Sequence, residues 1–532
     1  MMAFCLDSLS VARVRPARVW LALALPCLLS ACMVGPDYVR PALETGAAYR
    51  ETPGWVVADP DMASRPKGPW WEIYRDETLS GLMEQLDVNN LNIAQAEAKY
   101  RQAIAIVQGA RAPLFPTITA TGSLNRTGGS ATSAAGVVTS TALSTYGASG
   151  GATWTLDIWG SVRRNMEGQE ANKDALAASV GGARLTAQST LALTYMQLRV
   201  LDEHIRVIAA TVAAYEKALT LTQNKYDAGV ANPGDVSVAT TQLESTRAQL
   251  IDTEQQRALL ENAMAVLLGR PPSAFSLASK PFAMITPATP VGLPSELLQQ
   301  RPDVANAERL TAATNAQIGV AVAAWFPSLT VNGNVGYRTN DFLNWITAPA
   351  QYWALGPILA QTIFDGGARQ SVIDQNRALF DAQVATYRLT VLQALQQVDN
   401  ALVQLRVFDK EEKVQWKAVL SARESVRLAQ NQYNAGLIDY LSVAVLENTA
   451  FNNENNYVTL LGNRLASSVQ LIVALGGGWT TADIKKLDDV GKPIVAAEKP
   501  AVDTDKLAMD SGKPGPTSGQ PPANARDPVP TH

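Results

Sequence analysis

Gln223-Asn-Lys-Tyr-Asp-Ala-Gly-Val230 and Gln430-Asn-Gln-Tyr-Asn-Ala-Gly-Leu437 are two copies of one octapeptide in a chain of 532 residues. Each copy closes a very long helix-compatible run, and each is followed within a few residues by a second helical run. The glycine ends the first helix, because the residue just past a helix terminus needs φ > 0 and glycine takes it at least cost. After the first copy, Asn232 is placed to cap and Pro233 to open the returning helix. The octapeptides therefore mark the tips of two helical hairpins.

Outward from the first tip, Leu176, Val180, Ala183, Ala187, Leu191, Leu198, Leu201, Ile205 and Ile208 recur at spacings of three, four or their sum. That persistence predicts a long helix over 161–228, with a coiled-coil-like seam and a return helix over 233–269. Upstream the period changes. Ile118, Ala120, Gly122 and Leu124 alternate with threonines and serine, and alternation resumes from Tyr146 to Ile158. These predict strands over about 116–126 and 144–158, joined by a Gly/Ser/Thr/Ala-rich loop. A single helix from Leu79 to Arg111, stopped by Pro113, precedes them.

The programme then restarts. Ala305-x-Ala307-Glu308 matches Ala94-x-Ala96-Glu97, and Phe326-Pro327 matches Phe115-Pro116 at the same offset. Repeat 1 spans 79–270, a linker 271–294, and repeat 2 295–477. Repeat 2 holds a helix, strands over about 327–338 and 352–364, a long helix over 367–435 and a return helix over 441–475. Residues 478–532 form a tail whose later part, rich in Pro, Lys, Asp, Gly and Ser, cannot bury a core, so the tail is expected to be largely disordered.

The N-terminus reads as a signal peptide over 1–31: Arg13, Arg15 and Arg18 precede an apolar run from Trp20 to Leu29, too short to span a bilayer. Leu29-Ser30-Ala31-Cys32 resembles a bacterial lipobox, which makes Cys32 the candidate lipidation site and 32–78 a lipid-anchored, extended segment. An ordinary signal peptide cut nearby is the alternative. All three cysteines lie at or before Cys32, so disulfides cannot stabilise the mature chain. A net charge of −4 without a basic stripe speaks against nucleic acid. Gly366-Gly367 and Gly476–Gly478 lack the Lys-Ser/Thr of a phosphate cradle, and His204 is the one internal histidine. Neither an enzyme nor a cofactor is expected, apart from the covalent lipid.

Two-faced strands of this length fit membrane-spanning β-strands, although soluble half-buried strands alternate in the same way. Trp154, Trp159 and Trp353 are candidates for an aromatic girdle at the membrane interface, or for packing at the β-to-α junction. Four strands cannot close a barrel, which takes about eight, and open edges are not tolerated in lipid. Several copies must share one barrel, with the helices continuing as a tube on one side.

The residues also resemble the TolC-type outer membrane factors, in their lipoprotein branch (OprM- or NodT-like). The matching features are the lipobox, Gly35-Pro-Asp-Tyr38 with Arg40-Pro41, Arg301-Pro-Asp303, Ile363-Phe-Asp-Gly-Gly367, the run Tyr387–Leu402, and Tyr433-x-x-Gly436 with Asp439-Tyr-Leu-Ser442. The resemblance implies an α+β membrane protein: a homotrimer whose twelve-stranded β-barrel, four strands per protomer, continues into a long α-helical coiled-coil barrel. It implies the exit duct of a tripartite efflux pump in the cell outer membrane, with a periplasmic adaptor (membrane fusion protein) and an inner-membrane transporter as partners. Carried over by motif, Tyr226, Gly229, Tyr433 and Gly436 would sit at tips that dock the adaptor, with Asp439 or Glu447 as a periplasmic gate. The chain departs from the family here, because the usual acidic position is Val445, and Asp439 reads equally as a helix N-cap. The outlet of a type I-like peptide or protein secretion system, and a structural lipoprotein with coiled-coil stalks, are the rival readings.

Overall fold

The computed structural model describes residues 33–42, 69–132, 138–281, 301–344 and 346–479. The leader, Cys32, most of the expected extended segment and the tail beyond 479 lie outside the described residues. Among the described residues, seven helices and four strands run in two successive rounds of helix, strand pair and helical hairpin. Helices α1 (Glu77–Asn89) and α2 (Leu91–Arg111) lead into strands β1 (Thr117–Thr132) and β2 (Val138–Leu156), then helices α3 (Ser161–Asp227) and α4 (Pro233–Leu267). Helix α5 (Pro302–Ala323) leads into strands β3 (Ser328–Thr339) and β4 (Gln351–Ala360), then helices α6 (Ala368–Asn434) and α7 (Tyr440–Ala474). Both α3 and α6 are 67 residues long, about 100 Å at 1.5 Å per residue.

Three expectations need correction. The helix expected from Leu79 to Arg111 is broken at Asn90, which turns to extended geometry and caps α2 by accepting from Asn92 and Ile93 backbone N–H groups. Its Nδ2 also donates to the carbonyl of Leu267 at 2.7 Å, so one side chain serves two helix ends. The stretch expected as a loop from 126 to 144 is largely paired strand, because β1 and β2 stay in register from Thr117↔Thr153 to Thr132↔Val138. Finally, β4 ends at Ala360 rather than Phe364. Beyond it the Gln361 side chain donates to the carbonyl of Trp325, and Asp365 begins to organise the next helix.

The four strands form one antiparallel sheet in the order β1-β2-β3-β4, so the two repeats meet where β2 pairs with β3. One face carries Ile118, Ala148, Gly150, Val335, Trp353 and Leu355, with Ile118, Trp353 and Leu355 at least 70% exposed. The other carries hydroxyls and amides, including Thr155 and Thr330 in contact at 3.2 Å. Strands β1 and β4 are the unpaired edges.

The two β-to-α junctions are built alike. Asp157 accepts from the backbone of Val162 and Arg163 and from the Arg163 Nε; Asp365 accepts from Gly367, Arg369 and the Arg369 Nε. Each carboxylate thus satisfies N–H groups that a helix start leaves unpaired. Trp159 belongs to the first junction rather than to an exposed girdle: it stacks on Phe326 at 4.7 Å and donates to the Pro327 carbonyl. Trp353 is exposed, and Trp154 donates to the carbonyl of Leu114.

The main core sits where α1 and the Trp70–Tyr74 turn pack on the middle of α3 and on the ends of α4 and α7. Leu79, Met83, Leu86, Leu191, Tyr195, Leu198, Met264 and Val469 are fully buried there. Each large side chain so buried contributes on the order of 1.5–3 kcal/mol, which anchors the long helices at mid-length.

Candidate functional site

The tips repeat one geometry to the atom. At the end of α3, Ala228 N–H bonds Asn224, Gly229 N–H bonds Tyr226 and Val230 N–H bonds Lys225; at the end of α6 the same bonds run Ala435 to Asn431, Gly436 to Tyr433 and Leu437 to Gln432. These are Schellman closures with glycine at C′, where φ is +75° at Gly229 and +73° at Gly436. A Cβ at either glycine would meet no other group, so the requirement is conformational and not steric. The return helices are capped by side chains. Asn232 forms a capping box with Asp235 for α4, and Asp439 accepts from Ser442 N–H and its hydroxyl for α7.

The matching tyrosines are not equivalent. Tyr226 is 42% exposed, while Tyr433 is 7% exposed and packs edge-on against Tyr440 at 5.6 Å. Lys225 joins the two hairpins. Its Nζ lies 3.6 Å from the Tyr433 ring centroid and donates to the Tyr433 carbonyl at 2.9 Å, while Thr222 contacts the Tyr433 hydroxyl at 3.3 Å. Motif comparison passed over Lys225 and Thr222. The signal was present, since Lys225 faces Gln432 across the two octapeptides, the one place where a charge appears in only one copy besides Asp227/Asn434.

The two acidic gate candidates sit in different surroundings, Asp439 exposed and Glu447 buried. Asp439 is the α7 N-cap, held below the usual carboxylate range by the Ser442 hydroxyl and backbone. Glu447, expected to face the passage, is buried at 8% exposure against α6, because the helical phase that exposes Val445 turns Glu447 inward. Val445 occupies the exposed position.

At the opposite end of the helices, the described N-terminal residues cross the β-to-α junction as a strap. Val34 N–H bonds the Trp159 carbonyl, and Gly35 at φ +97° brings its backbone against Gly319 of α5. Buried Arg164 of α3 donates to the Val34 and Gly35 carbonyls and pairs with Asp37 at 2.7 Å and Glu167 at 2.7 Å. Asn315 donates to the Pro36 carbonyl, Tyr38 to Glu308, and Arg40 to the Tyr387 hydroxyl. Gly35-Pro-Asp-Tyr38 thus reads, residue by residue, as contacts to α3 and α5. Arg301 is likewise a buried staple, donating to Asp303, Gln397 and the Ala474 carbonyl that ends α7.

Among the described residues no cluster of His, Cys, Asp and Glu is placed to hold a metal ion, and no helix is long and apolar enough to cross a membrane. The arrangement offers a two-faced sheet with open edges and two long hairpins ending in linked tips.

The family model described as outer membrane efflux protein matches residues 82–270 and 293–477. The chain is 30% identical over 472 residues to the probable efflux pump outer membrane protein TtgC of Pseudomonas putida, covering 85% of this chain and 94% of that one. It is 31% identical over 465 residues to the pyoverdine export outer membrane protein OpmQ of Pseudomonas aeruginosa, covering 85% of this chain and 96% of that one. Among solved structures it is similar to the outer-membrane channel OprN, with a TM-score of 0.77 and 27% identity over 84% of this chain and all of that one.

Proposed function

The chain belongs to the outer membrane efflux protein family, and from that premise we propose how its geometry makes an exit duct for small molecules. It is an outer-membrane efflux component, working passively on what an inner-membrane transporter and a periplasmic adaptor deliver. The observation that carries the assembly is the four-stranded sheet whose edges β1 and β4 have no partner. Lipid offers no hydrogen bonds to an open edge, and about eight strands are the fewest that close. Three copies joined β4 to β1 give twelve strands around one passage, hydroxyl- and amide-lined within and apolar outside. A stripe on α6 supports this: Leu389, Leu392, Val403, Val407 and Val414 are exposed in the single chain and become buried once a neighbouring copy packs there.

The tips at Gly229 and Gly436, with exposed Tyr226 on the first, are the surface for the adaptor; Tyr433 and Lys225 hold the two tips of one copy together. Lipid on Cys32 fixes the start of the strap at the barrel's rim, since Met33 packs on Gly160 where β2 gives way to α3. The protein performs no chemistry and holds no cofactor.

A deletion strain tests the function. It is expected to become several-fold more susceptible to exported compounds and to be rescued by the native chain. Rescue by a chain lacking the described sheet would refute the duct. Detergent-solubilised protein is expected to run as a trimer by native mass spectrometry; a monomer holding a complete pore would overturn the shared barrel.

A further inference from the structure

Glu447 is the least satisfied group behind the tips. Gln430 of α6 donates to its Oε1 at 2.9 Å, while Oε2 is buried without a hydrogen-bond partner. The hydroxyl of Tyr440, on the same helix, is also buried and without one. Tyr433 approaches from α6, and Tyr215 from α3, whose hydroxyl accepts from Gln242 of α4 at 2.8 Å. Gln242 reaches on to the Ala444 carbonyl of α7 at 3.4 Å. All four hairpin helices therefore converge here, and the groups facing the carboxyl are tyrosines and amides. Among the described residues no Lys, Arg or His pairs with Glu447, and Lys225 is engaged with Tyr433.

A carboxylate in this setting has lost water and gained one hydrogen bond, which is costly. Taking a proton from solvent removes the charge and makes Oε2 a donor, with the Tyr440 oxygen available as acceptor. We propose that Glu447 is a proton-controlled latch: neutral, it keeps the α6/α7 hairpin seated on the α3/α4 hairpin; ionised, it draws water into that seam and the tips part. Burial pushes the Glu447 carboxyl above its ordinary range, against the Gln430 amide and the nearby Tyr440 hydroxyl, which favour the charged form. A group raised in the packed state stabilises packing at low pH, and that stabilisation fades as pH rises through the raised value. The seam should tighten in acid and loosen towards neutrality and above.

The consequence for transport rests on the tips being the duct's entrance, so the test separates the two. Val230→Cys and Leu437→Cys place spin labels on exposed tip positions, in a sequence with no thiol after Cys32. Distances are read by double electron–electron resonance on the full-length assembly in lipid nanodiscs at pH 5 and pH 8. The shortest distance is expected to lengthen at pH 8 with Glu447 present and to stay short at both values in Glu447→Gln. Equal distances at both values in the native background, or an undiminished shift in Glu447→Gln, would overturn the latch. If Glu447→Gln does not assemble, Tyr440→Phe takes its place: a displaced midpoint supports the latch and an unmoved one refutes it. A distance that follows pH while bilayer conductance does not would leave the latch standing and refute the tips as entrance.

Discussion

Lys225 and Gln432 occupy one position of a duplicated octapeptide, yet only the lysine reaches across to the other hairpin. Its contact combines a charge over a ring with a second hydrogen bond to a helix-end carbonyl that already accepts from Gly436 N–H. Lys225→Met should weaken the tip by about 1 kcal/mol, within the range of an exposed cation–π contact. The expected reading is a higher resting conductance in planar bilayers with unchanged trimer yield; unchanged conductance would remove Lys225 from tip closure. Gly35 makes a different demand. A Cβ there would lie 2.5 Å from the Gly319 Cα, at a φ few other residues adopt. Gly35→Ala should lower the thermal midpoint of the purified assembly, whereas Gly81→Ala, where a Cβ on helix α1 meets open space, should hold or raise it. Equal midpoints for the two would show that the strap does not bear on stability.

At the scale of elements, ends matter more than middles. Long helices such as α3 and α6 follow from periodicity alone, but their junctions depend on single side chains. Asn90 was invisible as a break because Val88-Asn-Asn-Leu-Asn92 contains neither glycine nor proline; the break is made by a third helix end, the Leu267 carbonyl, that only the fold brings near. Asn90→Ala removes a cap and leaves that half-buried carbonyl without its donor, costing about 1–3 kcal/mol. Urea unfolding should register the loss, and Asn90→Ser, which retains an N-cap acceptor, should recover part of it; no change in either would reduce Asn90 to a passive turn. The tips behave oppositely. There the turn residues suffice, because Schellman bonding is local and needs no partner from elsewhere.

For the whole molecule, stability and assembly cannot be separated. The described chain exposes an apolar stripe on α6 and two unpaired strand edges, each a cost that the second and third copies of the proposed trimer would remove. Placing Glu at both Leu392 and Val403 puts charge into that stripe and should shift native mass spectra from trimer to monomer. Retention of full trimer would place the interface elsewhere.

Sequence alone determined what period and local chemistry can carry: long helices, two-faced strands, the duplicated order, the tips, and the insufficiency of four strands. It did so because alternation, helical phase and turn residues act within a few residues of one another. Tertiary structure alone decided that Tyr433 is buried while Tyr226 is not, that Lys225 bridges the hairpins, and that Glu447 turns inward. Those fates depend on groups carried by other helices, Lys225 and Tyr433 lying 208 residues apart in the chain, which helical spacing and motif cannot bring together.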